Sequence, residues 1–491
     1  MFRILLLVHR YVGIAIGLLV LLWCLSAFVM MYVQFPELRE HEHLAALPAI
    51  DTQDCCKLDV DALASTTGIA SFEIESMADK PVLRIRTTSG FSRAFDLVTG
   101  TEIVLIDEST AKQQANSYFR ETGILRSAQL LEIVNRDQWT VAGGFDSRRP
   151  FYLFAANDDR DSQIYISSVD GSLVQDTTRN ERAWNWFGAV THWIYPTLLR
   201  KHVSTWAQVV VWTTLVSLFL VIIGIYLGIR QFRSQRDGSR SPYKGFALWH
   251  HYTSLIFGIF TLTWLLSGLF SMTPWGLFAS DGWAVERESV QGMSISLDDL
   301  SSTLANLSTA TLPTNTVRIV SAPFDGQYSV LAMGSDKSMV RLDGHTLREN
   351  VLPQDAWSRL PALLGHESRI LDAGWIHQGD DYYFSHHNEV DLPVYRVIVA
   401  DVDHTRYYFH HKSAELVLKV DASARGYRWW FKALHRGDLA MLRQKRPLWD
   451  LIMISLLVGV TAGAFTGVYL GYRRIFSGRG TRGKSARSRS C

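Results

Sequence analysis

The stretch VHRYVGIAIGLLVLLWCLSAF, residues 8–28, is apolar over a length that can cross a bilayer, and it carries a histidine near its start. A second stretch, WHHYTSLIFGIFTLTWLLSGL at residues 249–269, repeats it at an offset of 241 residues. The matching positions are His9/His250, Tyr11/Tyr252, Gly17/Gly258, Leu21/Leu262, Trp23/Trp264, Leu25/Leu266 and Ser26/Ser267. The repeat predicts two membrane-spanning helices that are copies of one another.

A second set of matches joins the later parts of the two halves at an offset of 243 residues. It includes Trp186/Trp429, His192/His435, Leu199/Leu442, Arg200/Arg443, Trp206/Trp449, Gly224/Gly467, Pro150/Pro393 and Tyr152/Tyr395. Each half is therefore interpreted as a span, an exported domain and a second span. Because both halves enter the membrane from the same side, the sequence indicates a tandem parallel duplication, with a pseudo-two-fold axis along the membrane normal.

Four apolar runs each approach or exceed the roughly 20 residues that a bilayer requires. The predicted organisation is a transmembrane helix at 1–33, a periplasmic domain at 34–205, a transmembrane helix at 206–229, a cytoplasmic loop at 230–245, a transmembrane helix at 246–272, a second periplasmic domain at 273–447, a transmembrane helix at 448–471 and a basic cytoplasmic tail at 472–491. The first run is interpreted as a retained anchor, because its apolar region is too long for a cleaved signal peptide.

The two polar segments show strand and turn patterns with some helix. Short alternating runs are broken by Thr-Gly and Asp-Gly steps, which are hairpin signals. These runs are FDLVTGTEI (95–103), IYISSVDGSLV (164–174), VRLDGHTLRE (340–349) and YYFHHKSAELVLKV (407–420). Helices are expected around Thr110–Thr122 and Asp298–Leu307. The predicted fold class is a bundle of four transmembrane helices with two exported α+β domains.

The charge is informative only when it is divided along the chain. The 491 residues are 47% hydrophobic and 20% charged, with a net charge of +2, which excludes a highly charged disordered chain. The N-terminus, the loop and the tail carry +2, +4 and +7, so the remaining residues sum to −11. Positively charged flanks mark the cytoplasmic side of a span. Both termini and the loop are therefore predicted to lie on the cytoplasmic side of a bacterial inner membrane, and both polar segments on the periplasmic side.

Four cysteines are too few for a disulfide scaffold. Cys24 lies in an apolar run, Cys491 is terminal, and Cys55 and Cys56 are adjacent. We expect four unpaired thiols, because neighbouring cysteines rarely pair with each other.

The repeat retains four of the sixteen histidines at the ends of the spans. His9 and His250, the loop-side pair, lie near the ends of spans one and three that adjoin the loop and the N-terminus. His192 and His435, the domain-side pair, lie just before spans two and four. Two imidazoles from facing helices can hold a haem iron axially, and ionisable residues in spans indicate function. The alternative is interfacial histidines that bond to backbone or lipid headgroups. His251 is a rival ligand to His250.

Other motifs are less specific. Each of the four histidines is followed fourteen residues later by a tryptophan (Trp23, Trp206, Trp264 or Trp449), which indicates either an aromatic wall or an interfacial anchor. A metal site at His386-His387 and His410-His411 is possible, but solvated strand histidines are favoured. The GxGxxG at 478–483 lies in a basic tail rather than between a strand and a helix, so it is rejected as a dinucleotide site. No catalytic residue, metal other than haem iron, or nucleic-acid partner is predicted.

Several strings resemble the bacterial PepSY-associated transmembrane family, which includes iron-regulated membrane proteins and ferrisiderophore reductases. They are His9-Arg10, Trp249-His250-His251-Tyr252, SHHNEVDLPVYRV (385–397), Leu434-His435-x-x-Asp438 and Lys445-Arg446-Pro447-Leu448-Trp449. The resemblance covers nearly the whole chain, and strings such as FDLVTGTEI look like PepSY units. It implies b-type haem held by histidines of the spans and electron transfer to ferric siderophores outside the membrane.

The resulting hypothesis is an oxidoreductase that transfers electrons across the membrane through two bis-His b-type haems. Its acceptor would be a ferric siderophore or a related periplasmic compound, and its donor is not identified. The alternative is a non-catalytic sensor that binds peptides or proteins through PepSY domains. A transporter built on a parallel repeat is a third reading, weakened because Asp450 is the one acidic residue in the predicted spans.

Overall fold

The computed structural model describes residues 1–53, 55–58, 63, 68–233, 239–365, 369–386 and 390–477. Within these residues, four helices are long and apolar enough to cross a membrane. They are Phe2–Met30, Val203–Gln231, Phe246–Ser271 and Arg446–Phe476. The four predicted spans are confirmed as helices, with ends that differ by a few residues from the hydropathy boundaries. The four long apolar helices therefore indicate a membrane protein, and the remaining described chain adds β-sheets.

The helices occur singly or in runs between groups of strands along the chain. In chain order, the helices are α1 Phe2–Met30, α2 Glu40–Ala45, α3 Glu108–Glu121, α4 Arg179–Phe187, α5 Ala189–His192, α6 Thr197–Arg200, α7 Val203–Gln231, α8 Phe246–Ser271, α9 Ala284–Gln291, α10 Leu297–Leu307, α11 Ala356–Leu363, α12 Ala422–Tyr427, α13 Leu434–Arg436, α14 Ala440–Arg443 and α15 Arg446–Ser477. A π-helix, Arg428–Ala433, lies directly before α13. The helices expected near Thr110 and Asp298 are confirmed as α3 and α10.

The strands are β1 Ile69–Met77, β2 Lys80–Thr87, β3 Ser92–Asp96, β4 Glu102–Ile103, β5 Gln129–Val134, β6 Phe151–Ala155, β7 Gln163–Ser167, β8 Leu173–Thr177, β9 Thr316–Ser321, β10 Ser329–Gly334, β11 Met339–Asp343, β12 Ile370–Ile376, β13 Val394–Val399, β14 Arg406–His410 and β15 Leu416–Val420. The four hairpin strings all contain strands at the expected positions. Sheets form there because β-branched and aromatic residues alternate with polar ones between turn residues.

The chain divides into two compact units. The helical unit contains Met1–Phe35, Ala183–Ser280 and the chain from Ser423 on, and the β unit contains Pro36–Arg182 and Asp281–Ala422. In the helical unit, α15 packs against α1 and α8, and α7 packs against the same two helices. The four long helices therefore form a closed ring in the order α1, α7, α8 and α15.

The β unit is held together by a seven-stranded antiparallel sheet with the order β11-β10-β9-β1-β2-β3-β4. Strand β1 of the first polar segment pairs with β9 of the second, with Ile74 opposite Ile319. Two four-stranded sheets, β5-β6-β7-β8 and β12-β13-β14-β15, complete the unit. The two polar segments, which the sequence analysis describes as separate domains, thus share one sheet. Pairing between strands some 245 residues apart leaves no local signal in the sequence.

A buried ionic cluster lies at the seam where β1 meets β9. The Glu75 carboxylate, 3% exposed, accepts hydrogen bonds from Arg84 at 2.9 Å and from Arg318 of the second segment. Burial alone would raise the pKa of Glu75, but Arg318, together with His43 and Arg84, holds it at about 2. The buried charges are therefore paired, as buried charges must be.

The prediction of four unpaired thiols is wrong, because Cys55 and Cys56 form a disulfide. Cys56 has a φ of 75°, in the left-handed region. In an extended chain, consecutive side chains point to opposite sides, so this backbone turn is what allows the two sulfurs to meet. Cys24 is a buried free thiol, as expected, and Cys491 lies outside the described residues.

Candidate functional site

The loop-side histidines face each other inside the helical unit. His9 on α1 and His250 on α8 have ring centres 6.3 Å apart. Nδ1 of His9 lies 3.2 Å from the Leu220 carbonyl of α7, and Nδ1 of His250 lies 3.1 Å from the Gly463 carbonyl of α15. Because a carbonyl only accepts, Nδ1 carries the proton in each ring. Nε2 is then the nitrogen with a free lone pair.

Two glycines pack closely against these imidazoles. A Cβ added at Gly224 would lie 2.7 Å from Cε1 of His9, and one added at Gly467 would lie 3.0 Å from Cε1 of His250. Each glycine follows, by four residues, the residue whose carbonyl accepts from that ring, so it lies one helical turn further along the same helix. Any larger residue at either position would displace the ring.

A cavity of about 450 Å³ opens beside the loop-side pair among the four long helices. That volume is within the range of small-molecule and cofactor pockets, about 300–1,000 Å³. Glycines of all four helices line it: Gly13, Gly17, Gly224, Gly228, Gly258, Gly463, Gly467 and Gly471. Among the described lining residues, Arg10 and Arg474 carry permanent charge. The cavity therefore combines a largely apolar lining with the imidazoles of His9, His250 and His251 and two cations, which suits a flat ligand with acidic groups.

The domain-side histidines repeat the arrangement with other partners. The ring centres of His192 and His435 are 6.1 Å apart. Nδ1 of His192 is 3.0 Å from the Ser26 hydroxyl and 3.2 Å from the Trp23 carbonyl. Because the serine hydroxyl donates to the same carbonyl, it accepts from the ring.

The second half of this site has matching contacts. Nδ1 of His435 lies 3.0 Å from the Ser267 hydroxyl and 3.1 Å from the Trp264 carbonyl. Burial lowers the pKa of His192 to about 4 and that of His435 to about 3. Both rings are therefore neutral at pH 7, the state in which imidazole binds a metal.

The separation of the rings suits one metal ion between each pair. A metal–imidazole bond is about 2.0–2.1 Å long and a ring nitrogen lies about 1.1 Å from the ring centre, so two axial imidazoles on one iron have centres about 6.3 Å apart. The observed 6.3 and 6.1 Å agree with this value. Within the described residues, no hydrogen bond involves Nε2 of any of the four histidines. A backbone acceptor on the other nitrogen is the usual arrangement of a ligating histidine.

The two pairs lie at different levels along the bundle. Trp23, whose carbonyl marks the level of His192, is fourteen residues beyond His9 on α1. At 1.5 Å per residue, this separates the levels by about 21 Å. The same spacing from His250 to Trp264 on α8 places the second half of each pair at matching levels.

His251, the rival ligand, has both ring nitrogens engaged. Nδ1 is 2.7 Å from the Ser241 hydroxyl, and Nε2 is 2.9 Å from the Gly228 carbonyl. The ring is 5% exposed. Because the carbonyl must accept a proton from Nε2, that nitrogen has no lone pair for a metal. His251 instead ties the loop segment at Ser241 to α7.

The four tryptophans at fourteen-residue spacing have two distinct roles. Trp23 and Trp264 supply the backbone acceptors just described. Trp206 donates from Nε1 to the Trp193 carbonyl at 3.0 Å, and Trp449 donates to the Arg436 carbonyl at 3.2 Å. These bonds fix the chain directly after each domain-side histidine. The identity of Ser26/Ser267 and Gly224/Gly467 in the repeat could have indicated their contacts with the histidines, but only a structure pairs each with its ring.

The histidine doublets of the second polar segment form no metal site in the described chain, where no group of three or more His, Cys, Asp or Glu residues could hold an ion. His387 lies outside the described residues, as does the GxGxxG at 478–483. The expectation of solvated strand histidines is wrong for His410, which is 8% exposed. Its Nδ1 accepts from the backbone N–H groups of Lys412 and Ser413, so it shapes the turn after β14.

Comparisons with known proteins add no relative. No family model matches the chain, and no similar sequence is found among curated proteins.

Proposed function

We propose that the protein transfers electrons across a membrane through two b-type haems, each held by one histidine from each half of the chain. His9 and His250 would hold one group, and His192 and His435 the other. A haem with both axial positions filled exchanges single electrons rather than binding oxygen. The observation that carries the proposal is the pair of opposed imidazoles at two levels, each with Nδ1 bonded to a carbonyl and Nε2 available.

The surrounding residues have defined tasks in this proposal. The carbonyls of Leu220, Gly463, Trp23 and Trp264 keep the proton on Nδ1 and orient the rings. Gly224 and Gly467 leave space beside the loop-side rings. Arg10 and Arg474 would neutralise the acidic groups of the cofactor at the loop end of the cavity. The apolar helices exclude water, which favours electron transfer over side reactions.

The direction of transfer rests on topology. We propose that the loop and both chain ends lie in the cytoplasm of a bacterium, because the positive charge there exceeds that at the other end. The domain-side pair would then reduce an acceptor in the periplasm, and the acceptor class implied by the family resemblance is a ferric siderophore. Two levels about 21 Å apart would divide the roughly 30 Å hydrocarbon layer into shorter electron steps.

A visible spectrum of the protein purified in mild detergent tests the proposal. Dithionite should produce the bands of b-type haem, and haem extraction should give about two groups per chain, one for each histidine pair. A colourless protein with an intact helical far-UV spectrum would contradict electron transfer and leave the binding or sensing role.

A further inference from the structure

The domain end of the helical unit carries an unequal distribution of charge. As a whole, the helical unit has 23 Lys and Arg against 3 Asp and Glu, whereas the β unit has 26 against 44. The windows 180–203 and 423–446 are equivalent by the 243-residue offset and contain His192 and His435. Their net charges are +2 and +6. The residues outside the loop, the N-terminus and the tail sum to −11, but this total includes a positively charged region around His435.

Half of this excess comes from substitutions around His435, and the remainder comes from the ends of the window, chiefly from Lys445 and Arg446. Arg428, Lys432 and Arg436 stand where the first half has Asn185, Ala189 and Trp193. These cations belong to the π-helix Arg428–Ala433 and to α13, which follows it. A π-helical turn is uncommon and is frequently found at functional sites. The second half has therefore gained positive charge on the segment that carries its domain-side histidine.

The cations lie close to one another and to the histidine. The Lys432 carbonyl accepts a hydrogen bond from the Asp438 N–H at 3.3 Å, and the Arg428 guanidinium lies 4.9 Å from the centre of the Trp429 ring. Arg428 donates to the Asp438 carbonyl at 2.6 Å, while Arg436 is 37% exposed and lies 3.5 Å from the Asp438 carboxylate. One carboxylate thus stands among three cations. Like charges held together in this way favour the binding of an anion.

Aromatic surface accompanies the charge. Trp429 and Trp430 of the π-helix are 41% and 43% exposed. The Phe431 ring lies 5.3 Å from the His435 ring, between the exposed indoles and the histidine in sequence. An exposed combination of indoles and cations suits a flat or compact anion with apolar edges.

We propose that Lys432, Arg436, Trp429 and Trp430 form a docking site for a small multivalent anion on the His435 side of the domain-side pair. This inference rests on the proposed function, of which it defines the charge of the acceptor. A belt of lipid headgroups would surround both halves, whereas the charge here is concentrated on one. The asymmetry therefore favours a discrete solute over lipid.

The test uses two substitution-inert cobalt(III) complexes of similar size and opposite charge, hexacyanocobaltate(III) and hexaamminecobalt(III). Equilibrium dialysis against the full chain in nanodiscs of neutral lipid should show binding of the anion and not of the cation. The double variant K432Q/R436Q should bind the anion about tenfold or more weakly at low salt. R230Q/R473Q, which removes two exposed cations from the loop end, should bind as the wild type does.

The single variant R436Q and a salt titration of the wild type keep the test independent of folding defects in the double variant. Affinity should fall between about 0.01 and 0.15 M salt as the screening length drops from about 30 to 8 Å. Equal affinities in all variants would overturn the site. If nanodiscs of anionic lipid displace the bound anion completely, the proposed site would instead be a binding site for lipid headgroups. Because cobalt binding needs no haem, a colourless protein that binds the anion would refute electron transfer and leave the docking site standing.

Discussion

The two histidine pairs use the same imidazole geometry and different supports. In the loop-side pair, the rings of α1 and α8 donate to carbonyls of α7 and α15, and glycines lie against them. In the domain-side pair, the rings follow the polar segments and donate to carbonyls and serine hydroxyls of α1 and α8. In both cases, a half of the chain supplies the histidine and its acceptor, and the two halves supply one ring each. Each half of the chain thus supplies one histidine to each pair together with the carbonyl that orients it.

The largest expected effect is the loss of one haem from a variant that lacks one histidine of either pair. H250A should reduce the haem content from two groups per chain to one, because a single axial imidazole remains at the loop-side site. H435A should do the same for the other site. Reduced difference spectra with pyridine haemochrome quantification measure both. Loss of both groups, or of neither, from either variant would contradict the pairing.

The second-largest effect is expected from filling the space beside the loop-side rings. G224V or G467V would force a side chain against a loop-side imidazole and weaken haem binding there by about 10–100-fold, as loss of a supporting contact does at metal sites. G144V, in the β unit and outside the cavity, is the control, since no heavy atom would lie within 4 Å of its added Cβ. Haem titration of the apoprotein measures the affinities. A larger effect on the domain-side group than on the loop-side group would reverse the assignment.

A third variant tests whether His251 is a structural residue beside the loop-side pair. H251A should retain two haems but lower the free energy of unfolding by about 1–3 kcal/mol, because Ser241 and the Gly228 carbonyl lose a buried partner. Thermal or denaturant unfolding followed at a haem band and by far-UV circular dichroism measures this change. A drop to one haem per chain would instead make His251 a ligand.

The smallest expected effect concerns Ser26 and Ser267, whose hydroxyls lie 3.0 Å from Nδ1 of the domain-side histidines. S26A and S267A each remove one of two acceptors from an imidazole N–H, which lowers the electron density that the ligand gives to iron. A lost hydrogen bond of about 0.5–1.5 kcal/mol corresponds to a rise of about 20–60 mV in a one-electron potential. Potentiometric titration should show this rise in one haem and an unchanged potential in the other. Equal shifts in both would mean that the serines do not act locally.

The sequence predicted the helical part of the fold well and the β part only locally. Four apolar runs indicate four spans whatever their neighbours are, because hydrocarbon length and backbone satisfaction constrain each span separately. Hairpin strings likewise predict their own strands. The pairing of β1 with β9 and the Cys55–Cys56 bond both depend on the folded conformation of the chain. The sequence analysis therefore described two separate polar domains and expected free thiols.

The same division applies to the candidate site. By itself, the sequence determined that four histidines recur at matching positions of two halves, because identity at a fixed offset is a property of the chain alone. Only the tertiary structure decided that the rings of each pair lie about 6 Å apart, that His251 has no free nitrogen, and that Arg428 and Arg436 both contact Asp438. Hydrogen bonds to carbonyls of other helices select the free nitrogen, and those partners lie between 23 and 213 residues away in the chain.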